Sequence, residues 1–132
     1  MSIAAYRQTI VETDSARNIE RRLFTSVTND LSNFSEVFDK ATANGEKLGI
    51  LADGLRAALW NNEKIWLALR NDLIEPGNAL NNELKASLIS IAFWVERYTP
   101  QVMKGLSMVA PLIAINNSII KGLNGDVDQD EV

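Results

Sequence analysis

Residues 55–70, LRAALWNNEKIWLALR, decide how the chain is read. With its neighbours at helical spacing, this stretch carries the apolar row Leu48, Leu51, Leu55, Leu59, Trp66, Leu69 and Leu73, the three-or-four step of an amphipathic helix. Two residues break the pattern. Asn62 stands where the row should continue, and at about 100° per residue Trp60 falls on the side of the helix opposite Leu51. An amide on the apolar face and an indole off it are the features that a plain core helix does not explain.

Outward from that stretch the punctuation stays helical, and the β-branched alternation that marks strands is missing. Ile3, Tyr6 and Ile10 predict a short first helix over residues 3–12. Thr13, Asp14 and Ser15 then offer an N-cap for a long second helix with the row Ile19, Leu23, Val27, Leu31, Phe34, Phe38 and Ala41, ending near Asn44 and Gly45. The third helix covers about residues 46–74 and stops before Pro76. Asn78 or Asn81 caps a fourth, whose stripe Leu80, Leu84, Leu88, Ile91, Val95 and Tyr98 is widened by Ile89, Phe93 and Trp94. Apolar residues over so much of its circumference predict that this helix is central. Thr99 and Pro100 read as N-cap and first residue of a short turn that Gly105 ends, and the last helix runs from Ala110 and Pro111 to Lys121 and Gly122. The expectation is an all-α, single-domain helical bundle of five or six mostly antiparallel helices over residues 1–124, followed by an acidic tail, 125–132, expected to be disordered.

A chain of 132 residues with 46% hydrophobic content is enough for one core. It contains no histidine and no cysteine, which excludes a disulfide framework, a thiolate nucleophile, a Ser-His-Asp triad and a Cys/His zinc site. No pair of carboxylates converges in the pattern either, since Glu12, Asp30, Glu63 and Glu96 read as outward positions, so enzyme activity is not expected and neither is a cofactor. The N-terminus lacks the layout of a secretory signal, and the longest apolar run, residues 91–95, is far short of the ~20 needed to span a bilayer. A soluble cytoplasmic protein is expected.

The net charge of -4 has an address: Asp126, Asp128, Asp130 and Glu131 lie in the tail, and removing them from the 17 acids leaves 13 against 13 bases. A neutral body in a chain whose overall pI is near 4.8 offers no basic face for nucleic acid. The three tail aspartates have calcium-loop spacing but lack the glycine at the sixth place and the closing glutamate. Gly45 and Gly49 have neither the lysine and hydroxyl of a phosphate loop nor the apolar surroundings of a membrane dimer motif.

Three groups remain as candidate binding residues. Glu20, Arg21 and Arg22, followed by Leu23 and Phe24, form either a recognition patch for an anion or the solvated flank of a helix. Trp66 and Trp94 sit on or beside core stripes, whereas Trp60 either packs under the first helix or the 75–78 loop or forms a docking surface. Asn62, Asn116 and Asn117 interrupt apolar rows, where a buried amide either fixes register between helices or binds a partner's backbone. On the residues alone this is a helical interaction module.

Three segments add a resemblance: RNIERRLFTSVTNDL (17–31), ALWNNEKIWLALRNDLIEPGNALNNELKASLISIAFWVERYT (58–99) and PLIAINNSIIKGL (111–123). Together they resemble the alphaproteobacterial flagellar regulator family FlaF. The residues that carry the likeness are Arg21, Leu23, Phe24 and Val27, then Ala58, Leu59, Asn62, Leu69 and Asp72. They continue through Pro76, Gly77, Asn78 and Leu80, Ile89, Ser90, Trp94 and Val95, and end with Pro111, Leu112, Ile113, Asn116, Ile119 and Gly122. The resemblance implies a cytoplasmic post-transcriptional regulator of flagellin synthesis that acts as a flagellin-binding secretion chaperone for flagellum assembly. It also implies an alternative, an adaptor that binds the flagellin translation repressor FlbT, or flagellin mRNA, to relieve repression; the charge-neutral body argues against the RNA partner. A flagellin segment docking as an amphipathic helix would need exposed aromatic anchors and a few amides. The candidate partner-binding residues are therefore Trp60, Asn62, Trp66, Arg21, Phe24 and Asn116.

Overall fold

The apolar rows fold as helices, and the computed structural model, which describes the backbone of residues 3–123 and side chains from residue 20 to residue 122, shows where each begins and ends. α1 spans Ile3–Lys40, α2 Asn44–Ile50, α3 Arg56–Ile74, α4 Asn82–Met103 and α5 Ala110–Leu123. A π-helical turn, Leu51–Leu55, joins α2 to α3 across a kink at Gly54. The described residues thus form four helical rods instead of five or six, and no strand occurs among them. The acidic tail and the side chains of the first predicted stripe lie outside the described residues.

The surplus boundaries were local cap signals that continuous helix overrides. α1 runs straight through Thr13, Asp14 and Ser15; a cap preference of about 1 kcal/mol yields where helix propagates on both sides. Thr99 and Pro100 lie within α4, because the Thr99 hydroxyl donates backwards to the Val95 carbonyl at 2.7 Å instead of forwards into a new first turn. Pro100 comes one turn before the helix end, where its missing N–H and ring disturb the least ladder. Asn44 and Gly45 open α2 and do not close α1, which ends earlier, at Lys40.

Other signals act as read. α3 stops at Ile74 ahead of Pro76, and the Asn81 side chain accepts the Leu84 N–H at 2.8 Å as the N-cap of α4. Gly105 ends α4 at φ 76°, its N–H bonding the Val102 carbonyl and that of Leu106 the Gln101 carbonyl, both at 2.9 Å, which is a Schellman motif.

The rods pack with α1 against α5 and α3, and α3 against α4. α1 and α5 are antiparallel, because Asp39 near the end of α1 caps the start of α5: its two carboxylate oxygens accept the N–H groups of Val109 and Ala110 at 2.7 and 3.0 Å. α1 and α3 are antiparallel too, with Phe34 facing Gly54 and Phe24 meeting Trp66 edge to face at 5.4 Å. The core between them holds Leu31, Phe38, Leu51, Leu55, Leu59, Val95, Val102 and Leu112. In α1 the buried row is shifted by one residue from the expected phase at its start: Phe24 is buried and Leu23 is exposed, since the Trp66 contact takes Phe24.

α4 is not central. It packs chiefly on α3 and buries the narrow face Ala92, Val95, Thr99 and Val102. Its extra apolar residues have other uses: Phe93 is covered by the Arg70 guanidinium at 5.0 Å, and Trp94 stacks on Tyr98 at 4.6 Å. The kinked junction owes its shape to Gly54, at φ 143° and ψ -20°, where a Cβ would stand 2.8 Å from the Phe34 ring. The glycine lets α1 pass against the bend.

Candidate docking surface

α3 presents two opposite faces, and the candidate residues divide between them. Inward, Trp66 is 1% exposed and Asn62 and Asn116 are fully buried. The Trp66 indole N–H donates to the Asn116 carbonyl oxygen at 2.8 Å, and the Asn116 amide donates to the Asn62 carbonyl oxygen at 2.7 Å. Hydrogen bonds thus run from α3 to α5 and back to α3, in a layer that Phe24 closes from α1. The Asn62 amide nitrogen ends the chain as a buried donor with no partner among the described residues. Asn62 sits in the apolar row because it answers Asn116, and an apolar residue there would strand the α5 amide. The structure therefore brings Asn62, Trp66, Asn116 and Phe24 together inside the bundle, and of these Trp66 also lines the α3–α4 cleft that Trp60 borders.

Outward, Trp60 is 54% exposed. Among the described residues the 75–78 loop does not cover it, and the side chains of residues 3–12 lie outside the described residues. The Lys64 ammonium lies 5.3 Å from its ring centre, a contact typical of an aromatic face in water. Two clefts meet at this indole. One runs between α3 and α4, lined by Trp60, Glu63, Lys64, Leu67, Arg70 and Glu96 and, deeper, by the buried Trp66, Ala92 and Val95. The other is a notch at the π turn, lined by Leu51, Ala52, Gly54, Arg56, Ala57, Trp60 and Met103. Leu67 and Ile74 are exposed as well, continuing the outward row one and two heptads beyond Trp60.

The electrostatics of the α3–α4 cleft are set by four charged groups. Arg70 donates to Glu96 at 2.6 Å across the helices while covering Phe93. Glu63 has a carboxyl held above the ordinary range, first because partial burial disfavours its charge and then because Glu96 is close. Tyr98, at the opposite seam, is also raised above the usual phenol value, chiefly by burial, while its hydroxyl donates to the Met108 carbonyl at 2.7 Å. Arg21 lies half-buried on α1 beside exposed Arg22, away from both clefts.

Reading the sequence missed Gly54, Glu63 and Arg70 as shapers of this face. A glycine inside a helical row was the one usable signal for the first; the pairing of Arg70 with Glu96 has none, because it joins residues 26 apart. Among the described residues no helix is long and apolar enough to cross a membrane, and no three acidic side chains gather as a metal would require. Residues 2–123 match the family model described as flagellar protein FlaF. Comparison with curated proteins and with solved structures finds no match.

Proposed function

The chain belongs to the FlaF family of flagellar proteins, and on that premise we propose that it works in the cytoplasm as a flagellin-binding secretion chaperone that couples flagellin supply to flagellum assembly. The observation that carries this reading is Trp60. A large indole left 54% exposed, with an apolar cleft on each side and more exposed aliphatic residues along the same helix, is the arrangement expected of a hot spot that a partner covers. An amphipathic helix laid along α3 would bury it. By taking up a terminal segment of unassembled flagellin, the chain would keep that segment from polymerising and hold the subunit ready for export. No bond is made or broken, so the reading needs no nucleophile, base or cofactor.

Calorimetric titration with unassembled flagellin, and with flagellin lacking its terminal segments, tests the reading. Saturable binding that truncation abolishes is the expected result. Trp60→Ala should weaken that binding about tenfold or more, roughly 1.4 kcal/mol, with an unchanged circular dichroism spectrum. No binding at tens of micromolar refutes the chaperone role, and saturable binding to the repressor FlbT in its place would make the chain an adaptor.

A further inference from the structure

Resting on the flagellin-binding reading, we infer that the docked helix carries a lysine or arginine beside its apolar anchor and that Glu63 receives it. Three of the four charged groups lining the α3–α4 cleft already have partners within it: Arg70 and Glu96 pair at 2.6 Å, and Lys64 lies over Trp60. Glu63 has no ion pair among the described residues. It is half-buried between Trp60 and Leu67 along α3 and faces Glu96 from α4, a carboxylate that repels it.

A helix closing over Trp60 would remove water from this carboxylate. If the helix were apolar at that point, burial would add to a desolvation cost that Glu63 already bears, and docking would be opposed. A cation at that point offsets the cost, satisfies Glu63 and shares the field of Glu96. The cleft is thus complementary to an amphipathic helix with an aliphatic or aromatic anchor against Trp60 and a basic residue within a turn of it.

The sign of one substitution separates the alternatives. Unassembled flagellin is titrated into the unmodified chain, Trp60→Ala and Glu63→Gln at low and high salt. A cationic occupant predicts that Glu63→Gln binds about fivefold or more weakly at low salt and that the difference shrinks at high salt. Unchanged or tighter binding by Glu63→Gln overturns the inference, since an apolar occupant gains when the unpaired carboxylate is gone. Proton linkage gives a second sign. At a pH just above the ordinary carboxyl value of 4.5, pairing with a cation lowers the Glu63 pKa and releases protons on docking, whereas an apolar cover raises it and takes protons up. Calorimetry in buffers of different ionisation heat reads this directly, with Lys64, Arg70 and Glu96 as the other charges facing the group. If flagellin binds and only Trp60→Ala weakens it, this inference fails alone; if the unmodified chain does not bind flagellin, it falls together with the chaperone reading.

Discussion

Trp60 and Trp66 stand six residues apart on one helix and have opposite fates. Trp66 is packed between Phe24 and Asn116 with its indole N–H satisfied, and Trp60 lies in solvent with a lysine across its face. Six residues at about 100° each make one full turn and about two-thirds of another, which sets the two indoles about 120° apart, so they report two different selections on one element. The inner face specifies which helices meet: a hydrogen-bonded layer works only with α5 in one register, because a one-turn slip would bury three unpaired polar groups. The outer face adds the Arg70–Glu96 pair to that assembly, and its exposed apolar residues are the surface that the proposed partner would cover.

The largest effect is expected at Trp66. Trp66→Ala should destabilise the fold by about 3–5 kcal/mol, visible as a large fall in the midpoint of denaturant unfolding, while Trp60→Ala should stay within about 0.5 kcal/mol of the unmodified chain. Similar losses for the two would erase the distinction between the faces. Next comes the polar layer. Asn116→Leu leaves the Trp66 N–H and the Asn62 carbonyl buried without partners and should cost about 2–4 kcal/mol. Adding Asn62→Leu to it should recover part of that loss, because the stranded amide and its unpartnered nitrogen are then gone. A double variant worse than the single one would mean that the layer stabilises through packing and not through its hydrogen bonds.

How much of this was legible follows from range. The apolar row from Leu51 to Leu73, the Asn81 cap, the Gly105 terminator and the stop at Pro76 are encoded within a few residues and act where the sequence places them, whereas Leu48, expected at the head of that row, is exposed on α2. Trp60 could be set off the stripe by counting alone. What could not be read joins distant positions: Asn62 with Asn116, Asp39 with the first N–H groups of α5, and Phe34 with the space left by Gly54. The amides at 62 and 116 were visible as interruptions, but whether they face each other or a partner depends on how α5 lies on α3, and no local pattern carries that. The misplaced helix boundaries at Thr13 and Thr99 show the reverse error, a strong local signal outvoted by the continuity of the helix around it.

Gly54 is where the two faces meet, since its missing Cβ admits Phe34 on the inside and its bend forms the notch beside Trp60 on the outside. Gly54→Ala must hold a positive φ and displace the Phe34 ring, so a loss of about 1–3 kcal/mol is expected. Thermal unfolding measures it, and a flagellin titration of the same variant asks whether the faces are coupled. Lost stability with unchanged affinity would keep them independent; a loss in both would place the kink in the docking geometry.

The smallest effect belongs to Glu63 in the absence of any partner. Its folded-state pKa lies above the 4.5 of an unfolded glutamate, so the folded chain binds this proton more tightly than the unfolded chain does. Stability from this group therefore rises as pH falls through the folded-state value and stops rising below 4.5, and at neutral pH the charged form is a net cost. Glu63→Gln should remove that dependence, leaving the variant slightly more stable than the unmodified chain near neutrality and converging with it towards pH 4.5. Urea unfolding of both proteins across that window checks the sign. A variant that is less stable at neutral pH would mean that Glu63 supports the bundle itself, and the outer face of α3 would then be part of the fold it was contrasted with.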